Sequence, residues 1–272
     1  MPTIDVAGTT LHFLDRGEGP VALFVHGFPL DSTMWLDQIE RLSDLRRCVA
    51  VDLRGFGRSS AVTDEVLTME RHGEDLVALL GALGIESADV VALSMGGYVA
   101  LYLAQVYPEL IRTLALVDTR AAADTSEGRA GRDEAVRRVL GEGRRSFAEG
   151  MLMVLVAPNA SVTTRARMRS MMEGTRYETM VAALRGMRDR PDRTAILARI
   201  GVPTSVVVGE LDAVTPPADA CTMADVLPDA TVTVIEGAGH MTPLEAPDRV
   251  ATALRRLWAR SEPAGIPVST DA

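Results

Sequence analysis

Three residue types at three places along the chain have the makings of nucleophilic chemistry. In "DVVALSMGGYVALYLA" (89–104), Ser94 stands between an apolar run of strand length and a glycine pair that opens a second apolar run. A strand ending at Leu93 and a helix starting near Met95 leave Ser94 alone on a tight turn. Such a turn strains the serine's backbone, and its neighbours must be small so that helix and strand can pass closely. The small positions are Ala92, Gly96 and Gly97. The usual pattern is G-x-S-x-G; this chain reads A-L-S-M-G, and a methyl at 92 is tolerable if the backbone angles permit. A serine that merely caps a helix is the plain alternative. "EGAGHMTPLEAPDRV" puts His240 on a late, glycine-flanked loop, the setting of a general base. An orienting carboxylate should lie between the two in sequence. "VVVGELDAVTPP" offers Asp212 after a strand, and Asp118, ending "LALVD", is its rival; Glu210 is expected on the surface. Of the other histidines, His12 falls in an N-terminal hairpin, His72 on a solvated helix face, and His26 in "FVHGFPLDSTMW", where it is expected to buttress a loop.

The elements that must position these residues are legible from periodicity. "TIDV" and "TTLHFLD" read as a hairpin turning at Ala7-Gly8. "VALFV", "CVAVD", "DVVAL" and "TLALVD" are continuous apolar runs, the signature of buried parallel strands. "STMWLDQIERL" and "TMERHGEDLVALLGALG" carry helical spacing, the second closing at Gly84. From about Arg120 to Arg193 the alternation lapses into short helices rich in Met and Arg: "EGRAGRDEAVRRVLGEG", "SFAEGMLMVLV", "TTRARMRSMMEG" and "YETMVAALRGMRD". It resumes with a strand in "VPTSVVVGELD", a helix in "PADACTMADVL", a strand in "DATVTVIEGAGH" and a helix in "EAPDRVATALRRLWAR". Alternating β and α elements predict a mostly parallel sheet with helices on both faces. The domain division expected is a core of 1–119 and 194–260, a helical insertion at 120–193, and a disordered tail at 261–272.

Composition narrows the function classes. All 28 basic residues among the 272 are Arg, which removes Schiff-base lysine chemistry and the phosphate-binding lysine of a P-loop. The net charge is −9, and the stretch from Arg120 to Ala195, with 15 Arg against 10 Asp and Glu, leaves the remainder at −14. An acidic body is a poor partner for nucleic acid. No apolar run is long enough for a membrane span and no signal peptide is evident, so a cytoplasmic location is expected. Cys48 and Cys221 lack CxxC spacing and read as reduced thiols. No histidine lies in a metal-ligand spacing, and neither a metal nor an organic cofactor is expected.

Taken together, these segments resemble the α/β-hydrolase superfamily over residues 3 to about 260, with "VDLRGFGRSS" (51–60) as a further matching stretch. Within it, "HGFPL…W", "DLRGFGRS" and "LSMGGYVAL" look most like the esterase, enol-lactonase and non-haem haloperoxidase (perhydrolase) subgroup. The resemblance implies an α/β-hydrolase fold: a mostly parallel eight-stranded sheet, helices on both faces, and a helical cap formed by 120–193. It implies a triad in that family's chain order, Ser94, Asp212, His240, with Asp212 favoured because its G-x-x-D-x-x-x-P setting matches the loop that carries this residue. The turn His26-Gly27-Phe28 resembles the one that supplies half of an oxyanion hole, which would be the N–H groups of Phe28 and Met95. Asp52 and Arg54 are then loop-organising.

The implied reaction is hydrolysis of a small-molecule ester or lactone through an acyl-enzyme. Phe28, Met95, Met151 and Tyr177 are the candidate substrate contacts, and the cap methionines and Phe147 either line an apolar pocket or pack the cap onto the body. A pocket arginine binding a substrate carboxylate is one reading of the basic cap; pairing of those arginines with the acidic body is the other. Peroxide-dependent acyl transfer, carbon–carbon bond hydrolysis and a non-catalytic binding role are the alternatives. A serine at 94 argues against dehalogenase and epoxide hydrolase activity, which the superfamily runs with aspartate there. Monomer and homodimer both stay open.

Overall fold

A computed structural model describes residues 2–261; residues 262–272, most of the expected tail, lie outside the described residues. The elements in chain order are β1 (Thr3–Val6), β2 (Thr9–Arg16), β3 (Val21–Val25), α1 (Leu36–Leu42), β4 (Arg47–Val51), α2 (Met69–Ala82), β5 (Ala88–Leu93), α3 (Met95–Val106) and β6 (Ile111–Val117). There follow α4 (Ser126–Leu155), α5 (Val162–Gly174), α6 (Tyr177–Arg188), β7 (Thr204–Gly209), α7 (Pro217–Val226), β8 (Ala230–Ile235), α8 (Thr242–Glu245) and α9 (Pro247–Ala259). The eight strands form one sheet in the order β1-β2-β4-β3-β5-β6-β7-β8. β3 to β8 run parallel; β2 is antiparallel to β1 and β4. Ala7 and Gly8 both have positive φ, as the two-residue hairpin turn between β1 and β2 demands.

The central strands are buried along nearly their whole length, Arg112 of β6 being partly exposed, so their alternate side chains feed two cores. Leu23, Val25, Val90, Ala92, Leu114 and Val206 meet α2, α3 and α7 on one face. Phe24, Ala50, Val91, Ala115, Val117 and Val207 meet α1 and α9 on the other. On α9 the buried set Val250, Leu254, Leu257 and Trp258 falls at helical spacing. Trp35 is fully buried against Phe24, with ring centroids 5.3 Å apart.

Between β6 and β7 the chain forms a layer of three helices in which α4 packs on both α5 and α6. The two helices read in its first part are joined in one element kinked at Gly143, where φ is 81°. The final helix also differs from its sequence reading: Pro247 starts α9, and the residues before it make the separate turn α8. No helix among the described residues is long and apolar enough to cross a membrane. Cys48 is buried and its thiol is pushed up to about 12 by that burial; Cys221 is exposed, and both are free.

His72 does not sit on a solvated face. It is fully buried on α2 beside Phe56, and neither ring nitrogen has a partner among the described residues. The helical spacing holds, but His72 belongs to the buried stripe of α2 with Met69, Leu76, Leu79 and Leu80. Burial pulls the His72 pKa down to about 3. The unfolded chain binds this proton near pH 6.5 and the native state does not until near 3, so protons favour unfolding between those values. The stability is complete above pH 6.5 and is lost as pH falls, by about 2 kcal/mol from this group at pH 5. Thermal melts of wild type and His72→Leu between pH 7.5 and 4.5 check this: the variant's acid limb should be flatter, and parallel curves would refute it.

Candidate active site

Ser94 lies between β5 and α3 at φ 52°, ψ −113°, a backbone region that side-chain-bearing residues rarely adopt. The elbow is held from beneath: Ser94 N–H donates to the Val117 carbonyl at 3.0 Å, and the Thr119 hydroxyl donates to the Ser94 carbonyl at 2.8 Å. A Cβ at Gly96 would lie 2.5 Å from the Val25 carbonyl oxygen, and one at Gly97 2.3 Å from the Thr119 hydroxyl oxygen. Both glycines are therefore required by how closely α3 passes β3 and the end of β6. Ala92 needs no such clearance; it sits fully buried in register with Val25 and Leu116. The Ser94 hydroxyl makes no capping bond to α3, which disposes of the plain capping role.

The hydroxyl instead faces His240. Ser94 Oγ is 2.9 Å from His240 Nε2, and His240 Nδ1 is 2.8 Å from Asp212 Oδ2. Asp212 also accepts the N–H groups of Val214 at 2.7 Å and Thr215 at 2.9 Å on Oδ1, and the Thr215 hydroxyl at 2.7 Å on Oδ2. Burial alone would raise this carboxyl; the histidine N–H, the charge it acquires on protonation and the Thr215 donors outweigh it and hold Asp212 below the usual carboxylate range. Thr215 escaped the sequence reading, although a Thr three residues after an Asp and before a proline is a turn signal.

Asp118, the rival carboxylate, is fully buried at φ 44° and has no hydrogen bond to His240. It accepts Gly209 N–H at 2.9 Å, Thr242 N–H at 3.2 Å and the Thr242 hydroxyl at 2.6 Å, so it ties the end of β6 to the start of the Asp212 loop and to the end of the His240 loop. Burial, and then the nearby charge of Asp212, push its pKa well up. Glu245, which sequence reasoning passed over, grips the other side of the His240 loop. Its carboxylate accepts N–H from Gly239 at 3.2 Å, Met241 at 3.1 Å and, from the linker after α4, Ala157 at 2.8 Å.

His26 is fully buried, donates from Nδ1 to the Gly27 carbonyl at 2.9 Å and accepts Leu53 N–H at Nε2, 3.0 Å away; burial lowers its pKa and keeps it neutral. Asp52 binds His12 Nδ1 at 2.8 Å and the N–H groups of Ser32 and Arg58, while Arg54 forks onto Asp75. These groups brace loops and make no hydrogen bond to Ser94, His240 or Asp212. Met95 is buried at the first position of α3, where its N–H has no intrahelical acceptor, and no acceptor among the described residues takes the Phe28 N–H. The Phe28–Pro29 peptide is cis.

A cavity of about 530 Å³ opens beside the elbow, lined by Phe28, by Tyr98 one turn after Ser94, and by Phe147, Met151, Val154 and Val214. Phe28 and Phe147 meet edge to face in its wall, with ring centroids 6.4 Å apart. Tyr177 does not belong to this cavity. It opens α6 on the outer surface near Leu140, half exposed, because the chain enters the helix from outside and only the later α6 residues face inward. Met153 is 78% exposed, whereas Met168, Met171, Met172, Met180 and Met187 are core residues packing the helical layer.

Comparison with known proteins agrees with this architecture. A profile of the Alpha/beta hydrolase family matches residues 22–253, and the chain belongs to that family. An esterase structure from Thermogutta terrifontis, described as malate bound, superposes with a TM-score of 0.92 at 37% identity, covering 97% of this chain and 100% of that one. The enol-lactonase of Burkholderia xenovorans LB400 gives 0.88 at 25% identity, covering 95% and 100%. Among curated proteins, the dihydrolipoyllysine-residue acetyltransferase component of the acetoin cleaving system of Pseudomonas putida is 31% identical over 90% of this chain, which spans 66% of its length. The 2-hydroxymuconate semialdehyde hydrolase of Pseudomonas putida is 28% identical, with 93% of this chain and 92% of that protein covered.

Proposed function

We propose that the protein is a serine hydrolase of small carboxylic esters or lactones. The observation that carries this reading is the unbroken chain from Ser94 Oγ through His240 to Asp212 at 2.9 and 2.8 Å, at a strained elbow beside an apolar cavity. With Nδ1–H donated to Asp212, His240 presents a bare Nε2 that accepts the Ser94 proton as Oγ attacks the carbonyl carbon. The oxyanion takes up the N–H groups of Phe28 and Met95. His240 returns its proton to the leaving alkoxide, freeing the alcohol or opening the lactone ring. Water then gives a proton to His240 and attacks the acyl carbon, and collapse releases the acid and re-protonates Ser94. Asp212 stays ionised throughout and stabilises the imidazolium.

The likeness to an esterase and an enol-lactonase supports an oxygen-ester substrate. A cytoplasmic setting suits a chain with an exposed free thiol at Cys221. Two measurements test the proposal together: nitrophenolate release from acetyl, butyryl and hexanoyl nitrophenyl esters, and the site of labelling by a fluorophosphonate, read by peptide mass. Ester turnover with label on Ser94 is expected; absence of both, or label elsewhere, overturns it.

A further inference from the structure

We propose that the cavity beside Ser94 carries a subsite for a substrate carboxylate, built on Arg132 with Arg120 nearby, so that the preferred esters or lactones bear a free acid group. The inference rests on the ester-hydrolase reading and names its substrate class.

The cavity wall is largely apolar, yet three charged side chains line it: Arg120, Arg132 and Asp124. Asp124 is buried and already shared, its Oδ2 accepting Arg132 Nε at 3.1 Å and its Oδ1 accepting Arg190 at 2.8 Å. Burial would raise this carboxyl, but the two arginines outweigh it and keep it ionised. Arg190 is itself buried behind the wall. It donates to the Met187 and Ala122 carbonyls, lies 4.0 Å above the Tyr98 ring and faces Asp192, whose carboxylate takes the N–H groups of Ala123 and Thr194. Arg120 is already engaged, donating to the Val214 carbonyl and lying 3.1 Å from the Asp219 carboxylate.

Arg132 is different. Only its Nε is engaged, both terminal amino groups have no partner among the described residues, and the side chain is about a quarter exposed, on the cavity side. A guanidinium with two parallel N–H groups unused, in a mostly apolar concavity, matches a carboxylate in bidentate geometry. Gly128 and Ala135, one turn before and one turn after Arg132 on α4, and its neighbour Gly131 line the same cavity, and these small residues leave room for an acyl chain to reach it.

The test pairs two nitrophenyl esters of equal length, the neutral hexanoate and the acidic adipate monoester, against wild type, Arg132→Gln and Arg132→Lys. Asp124 keeps Arg190 in either variant, so the local fold is expected to hold, which thermal melts verify. Arg132→Gln should raise KM for the adipate ester about tenfold and leave kcat on both esters and KM for hexanoate within about twofold; lysine should recover part of the loss. Free adipate should inhibit hexanoate cleavage competitively, and about tenfold less well in Arg132→Gln. Equal effects on both esters, or none, overturn the subsite. If wild type cleaves neither ester, the hydrolase reading fails, and calorimetric binding of adipate to wild type and Arg132→Gln decides the subsite by itself: equal or absent binding refutes it.

Discussion

Ser94→Ala is expected to lower kcat for a nitrophenyl ester by at least about 10³-fold while leaving the protein folded. Removing Oγ takes away the hydroxyl that lies 2.9 Å from His240 Nε2, and the oxyanion donors cannot form the acyl-enzyme without it. Fluorophosphonate labelling should vanish with the activity. A companion variant separates chemistry from folding. Ser94 holds φ at 52°, a conformation that costs a side-chain-bearing residue about 1–3 kcal/mol and glycine much less. Ser94→Gly should therefore be as inactive as alanine yet melt a few degrees above wild type. Retained turnover in either variant would place the nucleophile elsewhere; a lower melting temperature for glycine would deny the strain.

The second large effect concerns the carboxylates. Asp212→Asn is expected to cost about 10⁴-fold in kcat, as loss of the correct imidazole tautomer does in triad enzymes generally. The direction follows from the donors around it. Val214 and Thr215 N–H groups both need the oxygen at the Oδ1 position, so the asparagine amide must turn its N–H₂ toward His240. Nδ1 then accepts instead of donating, the ring proton moves to Nε2, and the base can no longer take the Ser94 proton. Asp118→Asn makes no such change, since Asp118 touches Thr242 and Gly209 and not the ring. It should lower the melting temperature and reduce kcat by less than about tenfold. Equal kinetic losses in the two variants would show that Asp118, and not Asp212 alone, orients His240.

The parts of the site carried by the main chain and by spacing were legible in the sequence. Apolar runs marked the strands, and the small residues after Ser94 foretold a close crossing of helix and strand that the Gly96 and Gly97 contacts bear out. What escaped depends on three-dimensional direction. His72 shares its helical stretch with charged residues, and periodicity alone did not reveal which side of α2 it faces. Tyr177 was placed among pocket candidates because it lies in the inserted segment, but its position as the first residue of α6 turns it outward. The arginines of the inserted helices divide in a way net charge cannot express: Arg167 pairs with Asp37 and Arg176 with the Gly55 carbonyl, both outside the insertion, while Arg132 lines the cavity.

Glu245 bonds to its helical-layer partner, Ala157, through the main chain. Every residue but proline offers the same N–H at 157, so this bond does not depend on side-chain chemistry, whereas the contacts of the Thr164 hydroxyl of α5, which donates to the Leu244 carbonyl of α8, and of the buried Met168 beside it do. Cavity-lining side chains such as Met151 and Val154 can therefore change one at a time without touching the Glu245–Ala157 bond, which asks only that the backbone through Val156 and Ala157 keep its path.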